Sequence, residues 1–573
     1  MTEPNKPLDQ MTAQERLDLG RSYYNEDKFD EAIKALSSIR REEAAPETYA
    51  RAQFGLGAAY YAQENLEQAI ETWSNIRREE AAPEIYARAQ FNLGNTYNGL
   101  GKSDQAIKTW SNINHDDDPE TYARAQFNLG IVYKDQGKLD QAIKTWSNIN
   151  HDDDPQAYAR AQNNLGNTYN GLGKLDQAIK TWLKVRHDDD PRAYVEAQLG
   201  LGEAYSLDED KKEQSHEAYD NVRDFSYYKS ERGFKILKCT LGVRKDLHSL
   251  AKNIDEVLKY LQIIPGFESK VAHYTRPQIA FDLFEGKKND NDKEPSSFRL
   301  STIRGVNDPT EGLVLNGYWN QQGIPETIHT NDTATFVSCF TFNHDNLNQF
   351  RLYGKEDGRE ATGVSLVFNK KFFSDQSDAL EFIAAPSTDP SSKSEQIKPN
   401  ETRKTESDNK KPLIGKSTLY RCIYLDPETG YWTLAQRDKS TFYREHNEDE
   451  DTDAKGKWED YYELISKIEG CVETHLLNKE NNDDNSVSSI LKSIFTEDHL
   501  YNKCNKDEKQ KILEAIRFTL LPLQYLVKHI AFQEEQECRI MYITQFRDKK
   551  IHSDREKQWM YVEYEEPVLP HID

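Results

Sequence analysis

A repeat constrains this chain more than any other feature. Between Tyr86 and His187 the sequence spells one unit almost three times. Each unit runs Tyr-Ala-Arg-Ala-Gln, then Leu-Gly, then Gln-Ala-Ile-Lys-Thr-Trp, then a loop that closes on Asp-Pro. The glycine of the Leu-Gly pair marks the period. It falls at Gly20, Gly57, Gly94, Gly130, Gly166 and Gly202, at intervals of 37, 37, 36, 36 and 36 residues. A period of this length is the signature of a solenoid, in which one small motif stacks on copies of itself.

The unit reads as two helices. Asp118 is a good N-cap, and Pro119 suits the first helical position because its missing N–H would be unpaired there anyway. The step recurs at Asp154-Pro155 and Asp190-Pro191. Tyr122, Phe127, Leu129, Val132 and Tyr133 form an apolar helical stripe, and Gly137 ends that helix. A second helix runs from about Leu139 through Ala142, Ile143 and Trp146 to Ile149. Gly94, Gly130 and Gly166 allow close helix contact, with Tyr97, Tyr133 and Tyr169 beside them. Ala106, Ala142 and Ala178 are small where helices cross, and Trp73, Trp110, Trp146 and Trp182 are the large knobs.

This Leu-Gly-x-x-Tyr…Gly…Ala order resembles the tetratricopeptide repeat (TPR) family over the first 225 residues or so. The usual unit of that family is about 34 residues; here the extra residues lie in the His-Asp-Asp-Asp loops. The resemblance implies an all-α solenoid whose first helices line a groove for a protein or peptide partner. Two ladders are candidates for that surface: Arg51, Arg88, Arg124 and Arg160, and the asparagines Asn92, Asn128 and Asn164 with Asn95 and Asn167. Arg and Asn side chains suit the backbone and carboxylates of an extended peptide. Some family members clamp a terminal carboxylate this way, using a Lys where this chain has Phe91 and Phe127. The plainer alternative is that recent duplication copied every residue of the unit. The triplets Asp116–Asp118, Asp152–Asp154 and Asp188–Asp190, led by His115, His151 and His187, read as capped, solvated turns, and no metal set is expected.

Lys and Arg number 74 against 98 Asp and Glu, a net charge of −24. That balance repels phosphates over most of the surface, so general nucleic-acid binding is not expected. The six cysteines include no Cys-x-x-Cys pair, which suits a reducing compartment. The opening Met1-Thr2-Glu3-Pro4-Asn5 has no apolar core of a leader, and no run reaches the ~18 apolar residues of a spanning helix. A cytoplasmic protein off the membrane is the expectation.

Three regions follow: the repeat array over 1–205, a helical connector over 206–264 that would cap the last repeat, and an α+β domain with a mixed or antiparallel sheet over 265–573. The cap is expected because a solenoid must cover its final apolar face. In the third region strands are predicted at 271–275, 298–303, 335–341, 363–368, 420–425, 538–543 and 559–564. Helices are predicted at 277–285, 345–352, 456–478 and 507–531, and a turn at 307–311. Residues 385–412 are rich in Pro, Ser, Thr, Lys and Glu and predict a disordered insertion. Residues 445–453 and 481–484 read as polar loops.

The order His-Tyr-Thr, Leu-Ser, Asn-Asp-Pro-x-Glu, Ser-Cys-Phe, Gly-Val-Ser-Leu-Val-Phe and Glu-x-Glu-x-Arg resembles a widespread bacterial domain family of unknown function, over most of 270–545. It is also similar to the motif order of ADP-ribosyltransferases: His273, then Phe298 with Ser301 and Thr302, then Glu535-Gln536-Glu537. That resemblance implies that His273 holds a ribose, Ser301 and Thr302 wall a nicotinamide pocket, and Glu537 stabilises an oxocarbenium-like transition state. Plainer readings are a core histidine and an ion pair of Glu537 with Arg539. Two functions therefore stand. The first is an interaction scaffold that recruits a partner through its groove, presents a C-terminal signalling or effector domain, and needs no cofactor. The second is a repeat-regulated enzyme of stress or phage defence acting on NAD or a nucleotide.

Overall fold

The structure is a computed structural model. It describes residues 7–63, 65–264, 266–286, 295–302, 312–325, 333–343, 363–373, 413–446, 454–477, 486–554 and 559–572. The expected turn at 307–311, helix at 345–352, insertion at 385–412, polar loop at 481–484 and all but the first two residues of the loop at 445–453 lie outside them. Two compact units are resolved, Met1–Leu201, and Gly202–Ser377 with Ser407–Asp573.

The first unit is the all-α solenoid. Its first helices are Pro46–Ala62, Pro83–Gly99, Pro119–Asp135 and Pro155–Gly171, each of 17 residues. They alternate with short second helices, Leu66–Ser74, Ser103–Trp110, Leu139–Trp146 and Leu175–Trp182. Every long helix starts on a proline. Asp118 and Asp154 cap their helices by accepting from the N–H of Thr121 and Ala157. Gly101, Gly137 and Gly173 close the hairpins at φ of 71°, 72° and 72°, where only glycine sits without strain.

The Leu-Gly signature has one packing cause. Trp73, Trp110 and Trp146 are fully buried, and their indole N–H groups donate to the carbonyls of Phe54, Phe91 and Phe127 at 3.1, 3.2 and 3.1 Å. Each indole occupies the place where a Cβ on the repeat glycine would stand. A Cβ at Gly57, Gly94, Gly130 or Gly166 would lie 2.4, 2.4, 2.1 or 2.4 Å from the indole nitrogen of the tryptophan that follows it. Gly20 meets Leu36 in the same way. Neighbouring repeats then share core clusters: Phe91 and Trp110 pack with Leu129 and Val132 of the next unit.

The second unit is α+β. Its larger sheet has eight strands, and every pairing described in it is antiparallel. They are β1 (Lys270–Thr275), β2 (Arg299–Thr302), β3 (Thr333–Thr341), β4 (Val364–Asn369), β5 (Leu419–Arg421), β9 (Glu537–Gln545), β10 (His552–Asp554) and β11 (Trp559–Glu563). A smaller sheet joins β6 (Ile423–Leu425) to β7 (Trp432–Leu434) and, in parallel, to β8 (Val527–His529). The helix predicted over 507–531 therefore ends at Gln524. Val527 and Lys528 are drawn into register with Ile423 and Tyr424 instead, a tertiary pairing that local helical periodicity does not contain.

Residues 206–264, expected as a cap, lie in the second unit. Ile236, Val243, Leu247, Leu250 and Ile254 form one core with Ile512, Ile516, Leu520 and Ile490. A second core, around Phe298, Phe340, Phe368 and Phe372, lies against the large sheet.

Candidate functional site

In the array, the arginine ladder joins one repeat to the next. Arg88 Nε donates to Asp118 Oδ2 at 3.1 Å, Arg124 to Asp154 at 2.8 Å and Arg160 to Asp190 at 2.7 Å. Each of these aspartates is the N-cap of the following long helix, so one carboxylate caps and staples together. Arg51 pairs with Glu47 one turn before it on its own helix.

A second ladder runs through the loops. Arg41 pairs with Glu80 and Arg78 with Asp117; His115 and His151 take the same repeat position and meet Asp153 and Asp189 at 3.0 Å. Each stands over the tyrosine of its own unit, Arg41 on Tyr49, Arg78 on Tyr86, His115 on Tyr122 and His151 on Tyr158. Two of the three Asp residues in a triplet are thus used structurally.

The asparagines divide. Asn92, Asn95 and Asn128 are buried, and Asn128 Nδ2 donates to Asn95 Oδ1 at 3.0 Å across the repeat boundary. Asn164 is half-buried and Asn167 exposed. Beside their half-buried tyrosines, Tyr122, Tyr133, Tyr158 and Tyr169, the long helices are open along one stripe. That stripe is Glu120, Arg124, Phe127, Ile131 and Lys134 in one repeat, and Gln156, Arg160, Asn164 and Asn167 in the next. Phe127 and Ile131 on it were not singled out from the sequence as binding residues; the departure from the buried Phe91 only shows once neighbours are in place.

In the second unit the residues matched to a transferase order do not share a cleft. Strand register decides this. Ser301 pairs with Val337 and Glu537 with Thr341, which share a face of β3 but stand four residues apart. That is roughly 13 Å along the strand, with β2 and β9 on opposite sides of it. His273 lies on the other face, against Phe298 and Phe340, and its Nδ1 meets the Cys339 carbonyl at 2.8 Å. Burial lowers its pKa against the opposing pull of that carbonyl. Thr302 pairs with Phe336, away from Ser301.

Glu537 is committed to a buried ion cluster. Its carboxylate accepts from Arg539 Nε at 2.6 Å and from Lys528 Nζ at 2.5 Å, and Lys528 also pairs with Glu535. Burial alone would raise the Glu537 pKa, but Arg539 and Lys528 outweigh it and hold the carboxyl well below the usual range. Burial raises that of Glu535, with Lys528 opposing. A second buried pair, Arg421 with Glu268 at 2.7 Å, is completed by the Tyr461 hydroxyl, which donates to Glu268 at 2.7 Å. Each of these charges has an ionic partner inside the domain, although Arg421 Nε is left without a hydrogen bond.

An open space of the second unit lies elsewhere among the described residues. A cavity of 510 Å³ sits where β3 ends and β9 begins, lined by residues that include Asn343, Lys439, Trp458, Tyr462, Glu534 and Gln536. These come from four separate segments, and the sequence reading named none of them as a site residue.

Comparison with known proteins agrees with this division. Residues 17–83 and 127–193 match the tetratricopeptide repeat family, and residues 87–109 match a second tetratricopeptide repeat description. Residues 349–540 match a family described as Protein of unknown function (DUF2971). No curated protein matches. Among solved structures, MamA is 24% identical, covering 31% of this chain and 98% of its own, with a TM-score of 0.26. A tetratricopeptide repeat protein from Parabacteroides merdae is 15% identical, covering 39% of this chain and 85% of its own, with a TM-score of 0.28. The TPR2AB domain of yeast Sti1, in a complex with pHSP90, is 18% identical, covering 39% and 96%, with a TM-score of 0.18.

Proposed function

We propose that the tetratricopeptide-repeat array is a protein-interaction scaffold that holds an extended partner segment along the stripe of its first helices, while the C-terminal unit is the module brought to that partner. One observation carries this reading. The array spends Arg88, Arg124 and Arg160 and most loop aspartates on joining repeats, and leaves the apolar and amide side chains Phe127, Ile131, Asn164 and Asn167 accessible beside them on the long helices. Amide side chains offer a donor and an acceptor each, which fits the N–H and C=O of an extended backbone. Apolar neighbours fit its side chains. Among the described residues no helix is long and apolar enough to cross a membrane.

The test is a photo-crosslinking residue placed at position 131, at 167, or at the exposed Asp140 of a second helix, in cells that make the protein. A discrete adduct from 131 and 167, absent from 140, is expected. Adducts of equal yield from all three positions would overturn the stripe as the partner surface.

A further inference from the structure

The loop that leaves β9 carries charge of the opposite sign to the chain. Between Gln545 and Ile551 stand Arg547, Lys549 and Lys550 against one carboxylate, Asp548, in a protein of net charge −24. That carboxylate is spent on building the loop. It accepts from the Tyr542 hydroxyl at 2.8 Å, from the Thr544 hydroxyl, and from the Lys550 N–H at 2.9 Å. Lys550 is half-buried, its ammonium 5.7 Å from the centre of the Tyr542 ring. Arg547 and Lys549, on either side of Asp548, are exposed, and neither has an ionic partner among the described residues.

Two large apolar side chains stand at the same end of the sheet. Phe546 is 47% exposed at the start of the loop, and Trp559, the first residue of β11, is 59% exposed. Strand register places them. Gln545 closes β9 opposite Thr333, the first residue of β3, and Thr302 closes β2 opposite Phe336. Ser301 pairs with Tyr561, two residues after Trp559. β9 and β11 lie three strand spacings apart, roughly 14 Å. Groups so spread share no pocket, whereas a flat surface laid across the end of the sheet meets both. Asp554 faces Trp559 across the strand pair and is half-buried.

We propose that this end of the sheet docks on an anionic lipid surface. Phe546 and Trp559 enter the headgroup layer, and Arg547 and Lys549 meet the phosphates and carboxylates of the lipids. Exposed aromatic side chains beside unpaired cations suit the boundary of a bilayer, which is apolar on one side and charged on the other. A nucleic-acid strand fits less well, because it is held in a cationic groove that tracks its backbone, and these groups stand apart at loop and strand ends. The negative charge of the rest of the chain does not forbid the contact, since charges farther than about 8 Å from a surface are screened at physiological ionic strength. The contact is peripheral and needs no spanning helix, and it departs from the expectation of a protein off the membrane. It stands apart from partner capture by the array, and the two can fail separately.

The experiment is co-sedimentation of the full chain with vesicles of phosphatidylserine and phosphatidylcholine in equal parts, and with vesicles of phosphatidylcholine alone, at low and at physiological salt. Partition onto the anionic vesicles is expected, about ten-fold or more stronger than onto the neutral ones and weaker as salt rises. Arg547→Glu with Lys549→Glu lowers it by about ten-fold or more. Phe546→Ser with Trp559→Ser lowers it several-fold and keeps the melting temperature, since both side chains are exposed. Lys455→Glu with Lys467→Glu, at side-chain exposures of 78% and 67% on the helix Ala454–Val472, makes the same change in net charge and keeps partition within about two-fold. The proposal is overturned by any of three results. These are no partition onto the anionic vesicles at low salt, an equal loss from the two charge-reversed pairs, or release of the chain from the vesicles by a single-stranded oligouridylate, which would assign the cations to nucleic acid.

Discussion

The two units handle charge in opposite ways. The array lays its ion pairs out in ladders near the surface, one rung per repeat, and each rung is partly wet. Arg88, Arg124 and Arg160 keep side-chain exposures of 31%, 23% and 35%. The second unit concentrates its charges in single buried clusters, with Arg421, Glu268 and Arg539 wholly enclosed. A wet rung is worth little by itself and tolerates loss. An enclosed cluster tolerates no loss, because removing one member strands the others. The array is thus a modular object whose faults stay local, and the second unit is one whose faults spread.

The largest expected effect breaks an enclosed cluster. Glu537→Gln leaves Lys528 and Arg539 buried without their shared counter-charge, and should cost about 3–5 kcal/mol in denaturant unfolding. A loss below about 1 kcal/mol would show that the cluster is solvated in solution. Next comes the array's own weak point. Gly130→Val pushes a side chain into the place of the Trp146 indole, 2.1 Å away, and overpacking of this kind costs about 1–3 kcal/mol. Hydrogen exchange should rise in the repeats that flank Gly130 and stay unchanged beyond Gly202; uniform change would contradict a modular array.

The third prediction concerns acid. His248 is buried, its Nε2 within 2.7 Å of Ser206 Oγ, and burial together with Arg232 and Arg244 pushes its pKa down to about 3. The unfolded chain, with a histidine near 6.5, binds the proton first, so stability is present above pH 6.5 and is lost as pH falls toward 3. Between pH 6.5 and 5 the loss is about 2 kcal/mol. His248→Asn should flatten the pH dependence of melting in that window, and an unchanged slope would rule this residue out. The smallest effect separates the aspartates of one loop. Asp154→Ala removes a cap and a rung and should cost about 1 kcal/mol. Asp152, whose side chain is fully exposed, should change nothing measurable when replaced by Ala. Equal effects would mean that the cap assignment is wrong.

The sequence carried the array because the same residue returns to the same place. Gly130 and Trp146 were readable separately as a close contact and a knob; the structure shows that they are one contact. The arginine ladder was visible, but its use was not, since each partner aspartate sits 30 residues downstream on the next unit. In the second unit, residue order suggested a shared site for His273, Ser301 and Glu537, while strand parity puts His273 on the opposite face of β3 from the other two. Order along a chain does not contain parity across a sheet. The cavity was illegible for a related reason. Asn343, Lys439, Trp458 and Gln536 have no common spacing, and only the Trp458–Tyr462 helical pair could have been noticed.

The account rests on a division of labour within the array, with arginines joining repeats and the apolar–amide stripe meeting the partner. The most direct test measures affinity and melting together, for the partner that cross-links to position 131. Arg88→Gln with Arg124→Gln and Arg160→Gln should lower the melting temperature of the array and leave affinity within about two-fold, while Ile131→Glu with Asn167→Glu should keep the melting temperature and cost at least about ten-fold in affinity. The reverse pattern, with affinity following the arginines and indifferent to the stripe, would contradict it.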